Sequence, residues 1–218
     1  MQLAVEEEKR IAAKAIADAE EQERKRIAAD LHDNLGAYAA SIASNIDHIK
    51  ILPADQGTVT AMQELRNNSR AIVSQLNDTI WVMKKDALSL TAISDRLKIF
   101  IQRIQSSYPT IKIDVMENIA DDHLLPPSQA FHLFQILQEA INNAVRHSGG
   151  NEVIVSIQSN SAWKITVSDN GKGFDSFSEK EGNGLMNMKA RSKEAGWTIE
   201  WKSNEPTGTQ LIITPTTN

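Results

Sequence analysis

The sequence predicts an α+β chain in two parts: a long N-terminal helical hairpin, then a two-layer α/β sandwich. Three observations carry that expectation. The first half is rich in Ala, Glu, Lys, Arg, Ile and Leu and holds no Gly or Pro before Gly36, a composition that favours long helices. The second half contains short runs that alternate apolar and polar residues, which reads as strands. Among those runs lie segments with apolar residues at helical spacing, so helices are expected on one face of a mixed sheet.

Residues 1–22 read as a linker helix, helical by propensity but with a weak seam that is mostly alanine. From Ile27 the apolar residues fall at Ile27, Leu31, Leu35, Tyr38, Ile42, Ile46 and Ile49. These steps of four and three form one stripe close to a heptad seam. Pro53 to Gly57 punctuate the chain, and helix resumes from about Thr58 to Met83. Two amphipathic helices joined by a short turn make an antiparallel hairpin, expected over residues 23–86. Alone it has too little core, so the stripe calls for a second copy and a four-helix bundle across a homodimer. The alternative is a hairpin packed on the rest of the same chain.

The remainder, 87–218, is expected to form the sandwich. A helix from about Ala92 to Ser107 ends before Pro109. Ile111 to Met116 reads as a strand, Pro127 to His147 as a helix, and Val153 to Gln158 with Trp163 to Ser168 as paired strands. A glycine-rich loop from Asp169 to Gly184 leads to a helix near Asn187 to Ala195. Trp197 to Lys202 and Thr209 to Thr214 close the chain as strands.

Composition narrows the function. A formal net charge of -5 leaves no basic footprint, so no nucleic acid is expected as a partner. The absence of cysteine rules out disulfides and thiolate metal sites, and fits a reducing, cytoplasmic compartment. No apolar run approaches the roughly 18 residues a membrane span needs, and the acidic start has no signal-peptide core, so no membrane contact is expected from this segment. Because the sequence opens inside what reads as a helix, it is also compatible with a piece of a longer membrane protein.

Three segments carry chemistry. In Ile27 to Gly36, His32 lies about a quarter-turn from the centre of the apolar stripe, on the flank of the expected bundle. An imidazole there keeps one lone pair for attack at pH 7, and Asp33 next to it is placed to accept a hydrogen bond from the other ring nitrogen. Alone, a His-Asp pair is more often a solvated helix face. Next, Glu139, Asn143, Arg146 and His147 share one helix face by spacings of four, three and four, opposite Leu133, Leu137, Ala140 and Ala144. A Glu, Asn, Arg and His stripe suits a phosphate and Mg²⁺ site, because Mg²⁺ takes few protein ligands and completes its shell from phosphate and water. Finally, Asp169-Asn-Gly171-Lys-Gly173-Phe174 ends a strand, and Gly182-Asn-Gly184-Leu185 leads into a helix. Paired glycines let backbone approach a ligand, and a helix N-terminus binds phosphate, although each Gly-x-Gly alone is weak evidence. The Walker spacing is absent, so this is no P-loop.

Taken in this order, the segments resemble the sensor histidine kinases whose dimerisation domain is of the type paired with NarL-like response regulators. The resemblance covers the chain from about Glu23 onward. Arg26 to Gly36 looks like the H-box, with His32 as phosphoacceptor and Asp33 as its acidic neighbour. Glu139 to Ser148 looks like the N-box, which implies Asn143 as Mg²⁺ ligand and Arg146 and His147 near the phosphates. Asp169 to Gly173 resembles the G1 box, with Asp169 accepting the adenine amino group, and Gly182 to Leu185 the G2 box. Gly208-Thr209 matches the small pair on the closing strand beside the adenine pocket. The implied fold for 87–218 is a Bergerat-type ATP-binding sandwich, and the implied activity is autophosphorylation from ATP with transfer to a receiver domain. Residues 1–22 then become a signalling helix. Many relatives place Gln five residues after the histidine; this chain has Ala37, so the resemblance carries the kinase activity but not the phosphatase one.

Two other readings compete. A catalytically silent relative would dimerise and bind nucleotide without phosphorylating itself. A gyrase-type or chaperone-type ATPase would use Glu139 to activate water, but those enzymes lack a His-Asp pair on an N-terminal hairpin.

Overall fold

A computed structural model describes residues 2–30, 41–42, 44–45, 56–173, 183–203 and 207–216. The chain divides into two compact units, Met1–Asp86 and Ala87–Asn218.

The first unit is helical. Helix α1 (Gln2–Asp30) and helix α2 (Gln56–Met83) pack together. Lys25 near the end of α1 pairs with Asp86 just past the end of α2 at 2.7 Å, as a chain that runs out and returns requires. Both groups are largely exposed, so this pair orients more than it stabilises. Ala28 is fully buried, whereas Ile11 and Ile16 of α1 and Leu65 and Ile72 of α2 are exposed. Leu65 and Ile72 stand one heptad apart, on one face of α2. Most of the expected seam, from Leu31 to Ile49, lies outside the described residues apart from Ile42, which is helical and exposed.

The second unit is a mixed sheet covered by helices. Its elements are β1 (Leu88–Ser89), α3 (Leu90–Ser107), β2 (Lys112–Ile119), β3 (Leu124–Leu125), α4 (Pro127–His147), β4 (Glu152–Ser159), β5 (Trp163–Asp169), α5 (Asn183–Glu194), β6 (Trp197–Ser203) and β7 (Thr209–Pro215). The five-stranded sheet has the order β2-β4-β5-β7-β6, with only the β2–β4 pair parallel. Strand alternation puts Val153, Val155, Ile157, Trp163, Ile165, Val167, Leu211 and Ile213 against the helices, all of them buried. From above, Leu133, Phe134, Leu137 and Ile141 of α4 close the core, with Phe134 edge-on to Phe100 of α3 at 6.4 Å. Trp163 and Trp197 meet edge to face at 5.1 Å at the far end.

Pro127 at the first turn and an uninterrupted apolar stripe fix the start and face of α4, where the sequence placed them. Three features differ from the sequence reading. Strand β2 continues three residues past Met116, because it pairs with β4 along its whole length. Strands β1 and β3 form a separate two-stranded pair, Leu88 with Leu125 and Ser89 with Leu124, too short to show a period. Helix α5 begins by Asn183 rather than near Asn187.

Candidate functional site

Helix α4 crosses the sheet beside the C-terminal end of β5, and between them opens a cavity of about 680 Å³. That volume is within the range of small-molecule sites. One wall is the polar face of α4: Glu139, Asn143, Arg146 and His147 all line it, and Ala140 and Ala144, expected on the opposite face, line it with them because they sit at the margin between the two faces. The two alanines keep the helix surface low, so the longer polar side chains frame a slot rather than fill it. Arg146 and His147 sit in the last turn, where the Arg146 guanidinium suits the negative helix end. Asn143 Nδ2 donates to Glu139 Oε1 at 3.3 Å, which leaves the carboxamide oxygen as the atom for a cation. That donor set fits Mg²⁺, which needs few protein oxygens. Among the described residues no cluster of three or more His, Cys, Asp or Glu could hold a metal by itself, so a cation here would need a ligand and water to complete its shell.

The end wall is built from backbone. Asp169 closes β5 and is only 7% exposed, and its Oδ1 accepts from the N–H groups of Gly171 at 2.9 Å and Thr209 at 3.3 Å. Two donors to one oxygen fix the carboxylate plane at the cavity edge. The glycines around it are needed for chain packing. At Gly208, φ is 112° and a Cβ would collide with the Asp169 carbonyl. At Gly171 a Cβ would strike the Ser148 carbonyl, so Gly171 is buried beneath the end of α4 rather than lining the cavity. Lys172 N–H donates to that Ser148 carbonyl at 2.9 Å, tying the loop to the helix. Asn170 has a similar task, its Oδ1 accepting from Asn151 and Glu152 N–H groups, both at 3.0 Å.

The third wall is α5. Gly184 lies in its first described turn, not ahead of it as the sequence suggested. A Cβ at Gly184 would collide with Glu139 Oε1, so the missing side chain leaves room for that carboxylate. Low helix propensity is why the glycine looked like loop. Leu185 and Met188 complete this wall.

Thus Glu139, Asn143, Arg146, His147, Asp169, Gly173, Gly184, Leu185 and Thr209 converge on one cavity. Gly182, His32 and Asp33 lie outside the described residues. Sequence reasoning missed Ser148, Val167, Lys172, Met188, Trp201 and Leu211, which also line it. Val167 and Leu211 were legible as inward strand positions; nothing in the sequence pointed Trp201 at a cavity. No helix among the described residues is long and apolar enough to cross a membrane.

Two family profiles match the chain. Residues 23–88 match the family described as "Histidine kinase", and residues 128–218 match "Histidine kinase-, DNA gyrase B-, and HSP90-like ATPase". The sensor histidine kinase LiaS of Bacillus subtilis (strain 168) is 30% identical over 198 residues, covering 88% of this chain and 53% of that protein. The signal transduction histidine-protein kinase/phosphatase DegS of Brevibacillus brevis is 26% identical over 203 residues, covering 91% of this chain and 52% of that protein. The chain therefore spans about half the length of these relatives. Among solved structures, the histidine kinase domain of the Erythrobacter litoralis EL346 blue-light activated histidine kinase matches with a TM-score of 0.53 at 15% identity, over 82% of this chain and 95% of that one. That likeness shows the fold. With both matched domains in sequence order, the chain has the domain arrangement of a histidine kinase core.

Proposed function

We propose that this chain uses ATP to phosphorylate its own His32 and passes the phosphoryl group to an aspartate of a response regulator of the NarL-like type. The observation that carries this is the convergence of the α4 polar face, Asp169 and Thr209 on one cavity. In this reading residues 1–22 are a signalling helix, 23–86 the dimerisation and phosphotransfer domain, and 87–218 the ATP-binding domain. The working unit is a homodimer in the cytoplasm, whether free or as the cytoplasmic portion of a membrane-bound sensor.

Asp169 takes the adenine amino group, its carboxylate already oriented by the Gly171 and Thr209 N–H groups. Arg146 and His147, which also line the cavity, meet the phosphates. Mg²⁺ would be held by Asn143 with phosphate oxygens and water, and would offset the charge on the transferring group. Glu139 keeps the Asn143 carboxamide in place by accepting from its Nδ2. One ring nitrogen of His32 attacks the γ-phosphorus; the N–P bond forms as the bond to the β–γ bridging oxygen breaks, and ADP leaves. Asp33 accepts a hydrogen bond from the other ring nitrogen and offsets the positive charge that develops. The receiver's aspartate oxygen then attacks the same phosphorus and returns His32 to its starting state.

Incubation with γ-labelled ATP and Mg²⁺ tests the proposal. Acid-labile, base-stable label on the protein supports it. Free phosphate alone indicates an ATPase, and neither product indicates a silent nucleotide-binding dimer; either result overturns it.

A further inference from the structure

The cavity lining contains a cluster of apolar side chains as well as polar ones, and that cluster includes a residue the mechanism above does not use. Val167 of β5 pairs with Leu211 of β7, and Leu211 pairs with Trp201 of β6, so the three form one row across neighbouring strands. All three line the cavity, together with Leu185 and Met188 of α5. Trp201 is the one indole among these lining residues. The ammonium of Lys189, one turn along α5 from Leu185, lies 5.6 Å from its ring centroid. That distance is within cation–π range, so the indole is tethered to α5 as well as to its own strand. The polar lining groups come from α4, with Glu139, Asn143, Arg146 and His147, and from the end of β5 and the loop after it, with Asp169 and Lys172.

A ligand with one flat apolar end and one anionic end matches this division. Aromatic side chains hold bases through π-face contact, which tolerates differences in the base and relies on a flat partner. We infer that Trp201 is a base-contacting residue of the nucleotide site, packing its indole on the purine while Lys189 steadies the ring. The inference rests on the ATP site proposed above and adds to it the residue that sets affinity for the base. It makes a separable claim: Trp201 contributes to binding of the nucleoside part of ATP and contributes nothing to the phosphates.

Calorimetry on the full 218-residue chain with ATP, adenosine and tripolyphosphate, the phosphate ligands with Mg²⁺, separates these contributions. Trp201→Phe keeps a flat ring and should stay within about threefold of wild type for ATP and adenosine. Trp201→Leu keeps an apolar strand residue but not the ring, and should weaken both by about five- to a hundredfold, leaving tripolyphosphate unchanged. Indole emission gives a second readout that needs no loss of affinity. Adenosine should quench wild type, and the quenched component should be absent from Trp201→Leu. Equal ATP affinity in wild type and Trp201→Leu, or quenching that persists in Trp201→Leu, would overturn the inference while leaving the ATP site standing. Failure of wild type to bind ATP at all would instead remove the site, and this inference with it.

Discussion

Among the described residues, the helical unit leaves more of its large apolar side chains exposed than the α/β unit does, although Ile80 and Val82 of α2 are buried. In the α/β unit, Leu133, Phe134, Ile136, Leu137 and Ile141 on α4 and Val155, Ile157 and Ile165 on the strands are at or within 1% of full burial. In the helical unit, Ile11, Ile16 and Ile72 are about 60% exposed and Leu65 49%. A sheet with helices on one face closes its own core, so one chain can specify a precise cavity there. A pair of helices leaves an apolar face over, and a second copy is the economical way to cover it. In the proposed reaction the nucleotide site rests on packing within a chain, and the phosphoacceptor would rest on assembly between chains.

Substitutions can break that contrast on either side. The largest effect is expected from Asn143→Ala. Loss of the cation-facing carboxamide should slow phosphoryl transfer by roughly a hundredfold, with Mg²⁺-free nucleotide affinity nearly unchanged. Single-turnover labelling beside calorimetry reads both quantities. Next, Asp169→Asn replaces an acceptor oxygen with an amide that presents a donor to the adenine amino group. ATP affinity should fall by roughly ten- to a hundredfold, and the dimer should be untouched. Unchanged affinity would count against the pocket described above.

How much of this was legible in the sequence depended on the kind of signal each part sends. Helix α4 carried both a start signal at Pro127 and a long period, so its bounds and polar face could be read directly. The polar half of the cavity followed, because Glu139, Asn143, Arg146 and His147 are unusual on one face. The apolar half did not. Alternation shows that Val167, Leu211 and Trp201 point inward, but not whether they meet a helix or a cavity. Gly184 misled for a local reason: its role is to clear space for Glu139, a contact 45 residues distant in sequence that propensity cannot register. Strands β1 and β3, two residues each, are defined by pairing rather than pattern.

On the helical side, Ile72→Glu places a charge on the exposed face of α2. Sedimentation should show dimer dissociation strengthened by roughly tenfold, while thermal unfolding of the α/β unit stays where it was. A dimer of unchanged affinity would remove that face from the interface.

The smallest effect sharpens the account of how α4 meets α5. His132 of α4 faces Glu194 of α5 at 3.4 Å, with Arg191 of α5 stacked on neighbouring Phe131. Burial pushes the His132 imidazole below its usual pKa, against the pull of Glu194, and Arg191 adds to the lowering. As pH falls below about 6.5, the unfolded chain takes up this proton before the folded one, so stability present above that pH is lost on acidification. Between pH 7.5 and 5.5, wild type should therefore lose more in melting temperature than His132→Gln. Identical pH profiles would show that the His132 contact is energetically silent.

The central claim is that His32 is the phosphorylated residue, and the direct measurement is to map the phosphohistidine. The chain holds five histidines: His32, His48, His123, His132 and His147. After reaction with γ-labelled ATP and Mg²⁺, peptides prepared under alkaline conditions should carry phosphate on His32 alone, and His32→Ala should lose the label while binding ATP as wild type does. Phosphate on any of the other four, or label that persists in His32→Ala, would contradict the account.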